Sequence, residues 1–291
     1  MHRRTLLSSL AAYTALPPLA AHAAGNFVET NDGQRLFCRD AGSGRPVVLI
    51  HGWTLSSEIW KDQIDWLAAQ GLRAVAYDRR GHGQSSKPES GYDYDRLADD
   101  LATILDRLDL KDVVLVGHSM GAGEAVRYLA RHGDKRIARL LLVAPTTPFA
   151  LKTSDNPEGV DRQVYDKIVA ALQADRLGYL KAGGPAFIGA NPDPKMVEWT
   201  MTIALQASLP AEIQCLRAFG ETDFRPDLKA VTMPTLIVYG TADSPIIPVH
   251  ARRTHAAIAG SRLEIYDGAP HAVFLTDALR FNRDLLAFAR S

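Results

Sequence analysis

The chain has 291 residues, 46% hydrophobic and 23% charged, enough material for a sizeable core in one large α/β domain or two small ones. Lys and Arg number 33 and so do Asp and Glu, so no basic excess points to nucleic acid. No basic amphipathic run suggests a membrane surface, and two cysteines do not make a disulfide framework.

Residues 1–24 read as an export signal. They have a basic start, an apolar middle and the small-residue end Ala21-His22-Ala23, which fits the A-x-A pattern before a cleavage site. Arg3 and Arg4, followed by Thr5, Leu6 and Leu7, resemble the twin-arginine type, and Ser, Thr and Pro dilute the apolar stretch as that route prefers. Pro17 and Pro18 interrupt a run already short of the ~20 apolar residues a membrane span needs. The expectation is an exported, periplasmic protein without membrane insertion. Removing the signal takes Arg3 and Arg4 and no acidic residue, leaving a slight acidic excess.

Beyond residue 24, strand and helix patterns alternate. Residues 26–30 and 34–42 read as strands around a turn at Asn31-Asp32-Gly33. "PVVLIHGW" (46–53) is the continuous apolar run of a strand buried on both faces. A helix over 56–71 follows, then a strand over 72–78. Residues 94–110 form an amphipathic helix with Leu97, Leu101, Ile104 and Leu108 on one stripe. Next come a strand (112–118), a helix (121–133) and a strand (138–145). After an interlude, strands over 234–240 and 262–268 flank a helix over 249–260, and a helix over 274–290 closes the chain. Such alternation implies a mostly parallel, twisted sheet with helices on both faces. The core is therefore assigned to 25–146 and 231–291. The interlude, 147–230, carries the breaker clusters "NPEG", "AGGP" and "NPDPK" between helix-like pieces over 162–172 and 195–206. It reads as a helical lid over the sheet's carboxyl edge, where open α/β sheets bind ligands. Cys38 and Cys215 read as small buried thiols away from any ligand cluster.

The chemistry starts at Gly117-His118-Ser119-Met120-Gly121, a G-x-S-x-G between a strand and a helix. In that context the serine sits on a sharp turn that lifts Oγ above the sheet, with glycines where larger residues would crowd strand and helix. A serine hydroxyl needs a base held by a third group. The chain order Ser, acid, His is met by Asp243 in "GTADSP" and His271 in "GAPHAVF". Asp267, which also ends a strand, is the rival acid. The oxyanion hole needs two donors, for which the N–H groups of Met120 and Trp53 are the candidates. His51, His82 and Asp78 read as loop scaffolding. Phe149, Phe187, Ile188 and Trp199 are candidate pocket residues for a small acyl or aryl group.

With these residues in hand, the chain resembles the α/β-hydrolases, and within them the cofactor-free (non-haem) haloperoxidase, arylesterase and perhydrolase group. The resemblance lies in "HGWTLSSEIW", "YDRRGHGQSSKP", "GHSMGAGEAVRYLARHG", "LKTSDNPEGV", "YGTADSPIIP" and "GAPHAVFLTDALRFNRDLLAF". It implies the α/β-hydrolase fold, a Ser119–His271–Asp243 triad, no metal and no organic cofactor. It also implies hydrolysis of small esters, with peracid formation when hydrogen peroxide replaces water. A lactone hydrolase or a carbon–carbon bond hydrolase using the same triad is the alternative, and a homo-oligomer is left open. One departure is Thr54, where haloperoxidase-named members often have proline after "HGW". Proline fixes φ near −65° and removes an N–H. Threonine, with its freer φ, points to a hydrolase first and a perhydrolase second, and Thr54→Pro is expected to shift that ratio toward perhydrolysis.

If the leader uses the twin-arginine route, replacing Arg3 and Arg4 together by lysine blocks export. Cell fractionation reads this directly: undiminished periplasmic protein from the variant would exclude that route.

Overall fold

The computed structural model describes residues 24–291. The export signal expected over 1–24 lies outside them, apart from Ala24. Eight strands form one sheet in the order β1-β2-β4-β3-β5-β6-β7-β8. They are β1 (Ala24–Glu29), β2 (Arg35–Gly42), β3 (Pro46–Ile50), β4 (Arg73–Tyr77), β5 (Val113–His118), β6 (Ile137–Val143), β7 (Thr235–Gly240) and β8 (Arg262–Tyr266). β2 runs antiparallel to both β1 and β4, and every other pairing is parallel. β1 and β2 meet in the expected hairpin, where Gly33 takes φ 77° and donates to Thr30 O at 3.0 Å.

The central strands are buried along their whole length because both faces are covered. Strand alternation splits β3 between two cores. Val48 and Ile50 pack with the stripe Leu97, Leu101 and Ile104 of α2 (Tyr94–Arg107) and with α3 (Met120–His132). Val47 and Leu49 face the other way. They pack with Ile64 and Leu67 of α1 (Lys61–Ala69) and with the aromatic side of the C-terminal helix. A 3-10 turn, Ser57–Trp60, precedes α1, so the single helix expected over 56–71 is two. Cys38 and Cys215 are free, buried thiols.

Between β6 and β7 the chain carries α4 (Arg162–Ile188), α5 (Pro194–Ala204) and α6 (Leu209–Glu221). Two expectations fail here. "AGGP" does not end a helix: it lies inside α4, where Gly184 packs against Met201 and Val197 of α5. The break falls earlier, at Asp175 (φ −152°, ψ 81°), whose carboxylate accepts from Gly178 N–H at 2.9 Å and caps the second half of α4. Tertiary packing overrides the weak helix propensity of two glycines. Helix α6 was not expected, although Ser208 caps it and Pro210 and Glu212 sit in its first turn, the usual start signature. After β7, α7 (Ile246–Ala257) leads to β8, and the last helix splits at Asp277 into α8 (Val273–Thr276) and α9 (Ala278–Arg290).

Four histidines, His51, His82, His118 and His250, are buried. Desolvation holds all four below the ordinary imidazole range, His82 down to about 3 and His250 to about 4. Unfolded, each would titrate near 6.5, so below that pH the unfolded chain binds more protons than the folded one. Their contribution is complete above about pH 6.5 and is lost by about 1.4 kcal/mol per group per pH unit on acidification. Asp78, Asp100, Glu212 and Asp227, whose carboxyl groups burial raises, Asp100 to about 6, work in the opposite direction and offset part of that loss. The melting temperature should therefore drop by several degrees between pH 7.5 and 5, and His82→Asn should narrow that drop. Equal melting temperatures at the two pH values would refute the assignment.

Candidate active site

Ser119 stands between β5 and α3 with φ 54° and ψ −117°, a conformation that costs a non-glycine residue of order 1–3 kcal/mol. Its surroundings enforce that turn. Ser119 N–H donates to Val143 O (2.8 Å) and Ala122 N–H to Ser119 O (3.0 Å). A Cβ on Gly117 would lie 2.5 Å from Gly121 O, and one on Gly121 would lie 2.8 Å from Ile50 O. Only hydrogen fits at either flank, so strand, turn and helix press backbone on backbone. Although Ser119 occupies the N-cap position of α3, its hydroxyl makes no capping bond. It is 8% exposed and lines a cavity.

Asp243 and His271 come from the loops after β7 and β8. Ala242 N–H donates to Ala269 O at 3.0 Å, and a Cβ on Gly240 would meet that same oxygen at 2.0 Å, so the two loops are in close backbone contact. His271 Nδ1 lies 2.7 Å from Asp243 Oδ2, while Ser244 N–H donates to Asp243 Oδ1 at 2.5 Å. A carboxylate only accepts, so Nδ1 carries the hydrogen and Nε2 keeps a lone pair. The rival Asp267 is engaged elsewhere, accepting from the Thr241 hydroxyl at 3.0 Å. One residue here escaped the sequence reading. His118 is buried, and its Nε2–H donates to His271 O at 3.2 Å, which ties the backbone of the loop after β8 to the serine turn. The variable position of G-x-S-x-G carries no signal for this.

The third loop, His51-Gly52-Trp53-Thr54, follows β3. Among the described residues, neither Trp53 N–H nor Met120 N–H has a hydrogen-bonded acceptor. His51 is scaffolding, as expected: its Nε2 accepts from Arg79 N–H (3.0 Å) and its carbonyl from Arg79 Nη2 (2.8 Å). Arg79 Nε in turn donates to Glu124 of α3 at 2.7 Å, with both side chains buried. Asp78 takes the N–H groups of Ser57 and Gln84, each at 2.7 Å, and His82 bonds Arg80 O at 2.9 Å. The Trp53 indole donates to Glu212 O of α6 at 2.8 Å. Thr54 overturns an expectation. Its φ is 62°, a region proline cannot enter. Thr54→Pro would rebuild the turn that carries Trp53 N–H, so it is no clean test of peroxide against water.

The cavity has a volume of about 710 Å³ and is lined by Ser119, Asp243 and His271 together with residues of α4–α7. Of the four pocket candidates, Phe187 lines it, and the other three are corrected. Phe149 packs with Leu151, Tyr165 and Leu216, under the Arg225 guanidinium. Ile188 is buried outside the lining, since the next residue on a helix points about 100° away. Trp199 lines a separate polar recess beside Arg39 and Glu58. The face of α5 toward the cavity is instead Thr200, Met201 and Ala204, and α7 adds Ile246, Ile247 and His250.

A model of the alpha/beta hydrolase fold matches residues 45–278. Among relatives, the non-heme chloroperoxidase CPO-A1 of Kitasatospora aureofaciens is 40% identical over 270 residues, covering 89% of this chain and 97% of its own. The bifunctional esterase/perhydrolase DCH of Acinetobacter calcoaceticus is 34% identical over 277 residues, 91% of this chain and 99% of its own. The crystal structure of a bromoperoxidase from Bacillus anthracis superimposes with a TM-score of 0.89 at 36% identity, covering 92% of this chain and all of that one. With its sheet order, its strained serine turn and these likenesses over nearly its whole described length, the chain belongs to the α/β-hydrolase family.

Proposed function

We propose that the chain is a serine hydrolase that cleaves small carboxylic esters through an acyl-enzyme on Ser119, with perhydrolysis as a side activity. The observation that carries this reading is the 2.7 Å bond between His271 and Asp243 in the wall of the same cavity as an uncapped, strained Ser119. His271 Nε2 takes the Ser119 proton as Oγ attacks the ester carbonyl. Asp243 holds the imidazole in that tautomer and stabilises its charged form. The unpaired N–H groups of Met120 and Trp53 receive the developing oxyanion, each typically worth about 3 kcal/mol. His271 then returns the proton to the leaving alkoxide.

The acyl-enzyme has two exits. Water, activated by His271, releases the acid. Hydrogen peroxide in its place releases a peracid, which can oxidise halide in solution. The names of the relatives, a chloroperoxidase and an esterase/perhydrolase, support a site able to use both exits. The Arg3-Arg4 leader supports action in the periplasm, and the esterase/perhydrolase relative supports small-molecule esters as substrates.

Ser119→Ala should lower kcat/KM on a p-nitrophenyl ester by at least roughly 10⁴-fold without lowering the melting temperature, and a fluorophosphonate should label Ser119 in the parent. An alanine variant that keeps most of its turnover would end the proposal. Asp243→Asn should cost roughly 10³–10⁴-fold in kcat, because an amide side chain favours the wrong imidazole tautomer. Asp267→Asn, the rival, should change kcat little.

A further inference from the structure

This chemistry leaves one histidine of the cavity unused. His250 lies on α7, one helical turn, about 6 Å, beyond Ile246, and both residues line the cavity. It is 2% exposed, and neither ring nitrogen has a hydrogen-bond partner among the described residues. Its polar neighbours on the helix are committed elsewhere. The Thr254 hydroxyl is bonded to Thr147, and the Arg253 guanidinium is held by Asn156 and Glu158. A buried imidazole without partners costs free energy that a group in the cavity would recover.

The rest of the wall limits what that group is. Among the described residues no Lys or Arg lines the cavity, and its one carboxylate, Asp243, is engaged by His271. A fully charged substrate has no counter-charge here. Burial, and secondarily the Arg253 charge, holds His250 neutral, so it offers one N–H and one lone pair.

We infer that His250 determines specificity, its imidazole binding a neutral oxygen group, a ketone or hydroxyl, on a part of the ester several bonds from the scissile carbonyl. The inference rests on the serine-esterase reading of the same cavity. The favoured substrates are then uncharged oxo- or hydroxy-esters rather than simple alkyl esters.

Acid release by the full chain tests this with matched substrates. Methyl 5-oxohexanoate against methyl hexanoate probes the acyl side, and 5-oxohexyl acetate against hexyl acetate the alcohol side. In one of the two arms the wild type should prefer the keto ester. His250→Leu should reduce that keto-to-parent ratio of kcat/KM roughly tenfold, and His250→Gln, which keeps a donor and an acceptor, should restore part of it. His250→Phe carries the same comparison if the leucine variant does not fold. Ratios equal in wild type and variant in both arms would overturn the role of His250 while leaving the Ser119 reading intact. Hydrolysis of the same esters by Ser119→Ala would overturn the latter instead.

Discussion

The buried pair of Arg79 and Glu124 is what holds the Trp53 loop and the start of α3 in one frame. Glu124 stands one helical turn after Met120 on α3, and Arg79 grips the carbonyl of His51, two residues before Trp53. The Tyr77 hydroxyl also donates to Glu124, so the carboxylate has partners from β4 and from the loop that follows it. Removing one member of such a pair leaves an uncompensated buried charge, a cost of about 3–5 kcal/mol. A hydrophobic replacement of both could match the stability. It would not reproduce the bond to His51 O, and with it the fixed spacing of the two N–H groups.

The sheet supplies the rest of the positioning. Trp53, Ser119, Asp243 and His271 follow β3, β5, β7 and β8, all at the carboxyl ends of parallel strands. Parallel pairing brings these ends to one edge, so residues more than 200 positions apart in the chain share a cavity. The strain at Ser119 is tolerated because fully buried strands and helices on both faces determine the turn from every side.

Much of this was legible in the sequence, for identifiable reasons. Buried parallel strands are continuous apolar runs, and Gly117 and Gly121 flank the serine at a turn where a Cβ has no room. The meeting of Asp243 with His271 was legible because each lies in a loop that follows a strand. The cavity wall was not. Which face of α5 lines the cavity depends on helical phase against the sheet, and nothing in the sequence marks Thr200, Met201 and Ala204 over Trp199. Gly184 of "AGGP" has α5 packed beside it, a contact the sequence does not show. The left-handed φ of Thr54 has no sequence mark, since threonine rarely adopts it. His250 sits in an ordinary helical pattern, and only three dimensions reveal that its ring has no partner.

The bond from the Trp53 indole to Glu212 O joins the loop after β3 to the helical insertion through a main-chain acceptor. Every amino acid supplies that carbonyl. The insertion can therefore drift in sequence, exchanging side chains that line the cavity, while its grip on the loop survives as long as α6 keeps its place. Selection is thus able to retune what enters the cavity without re-evolving the machinery at its base, and a transplanted insertion would have to preserve a backbone path rather than a residue.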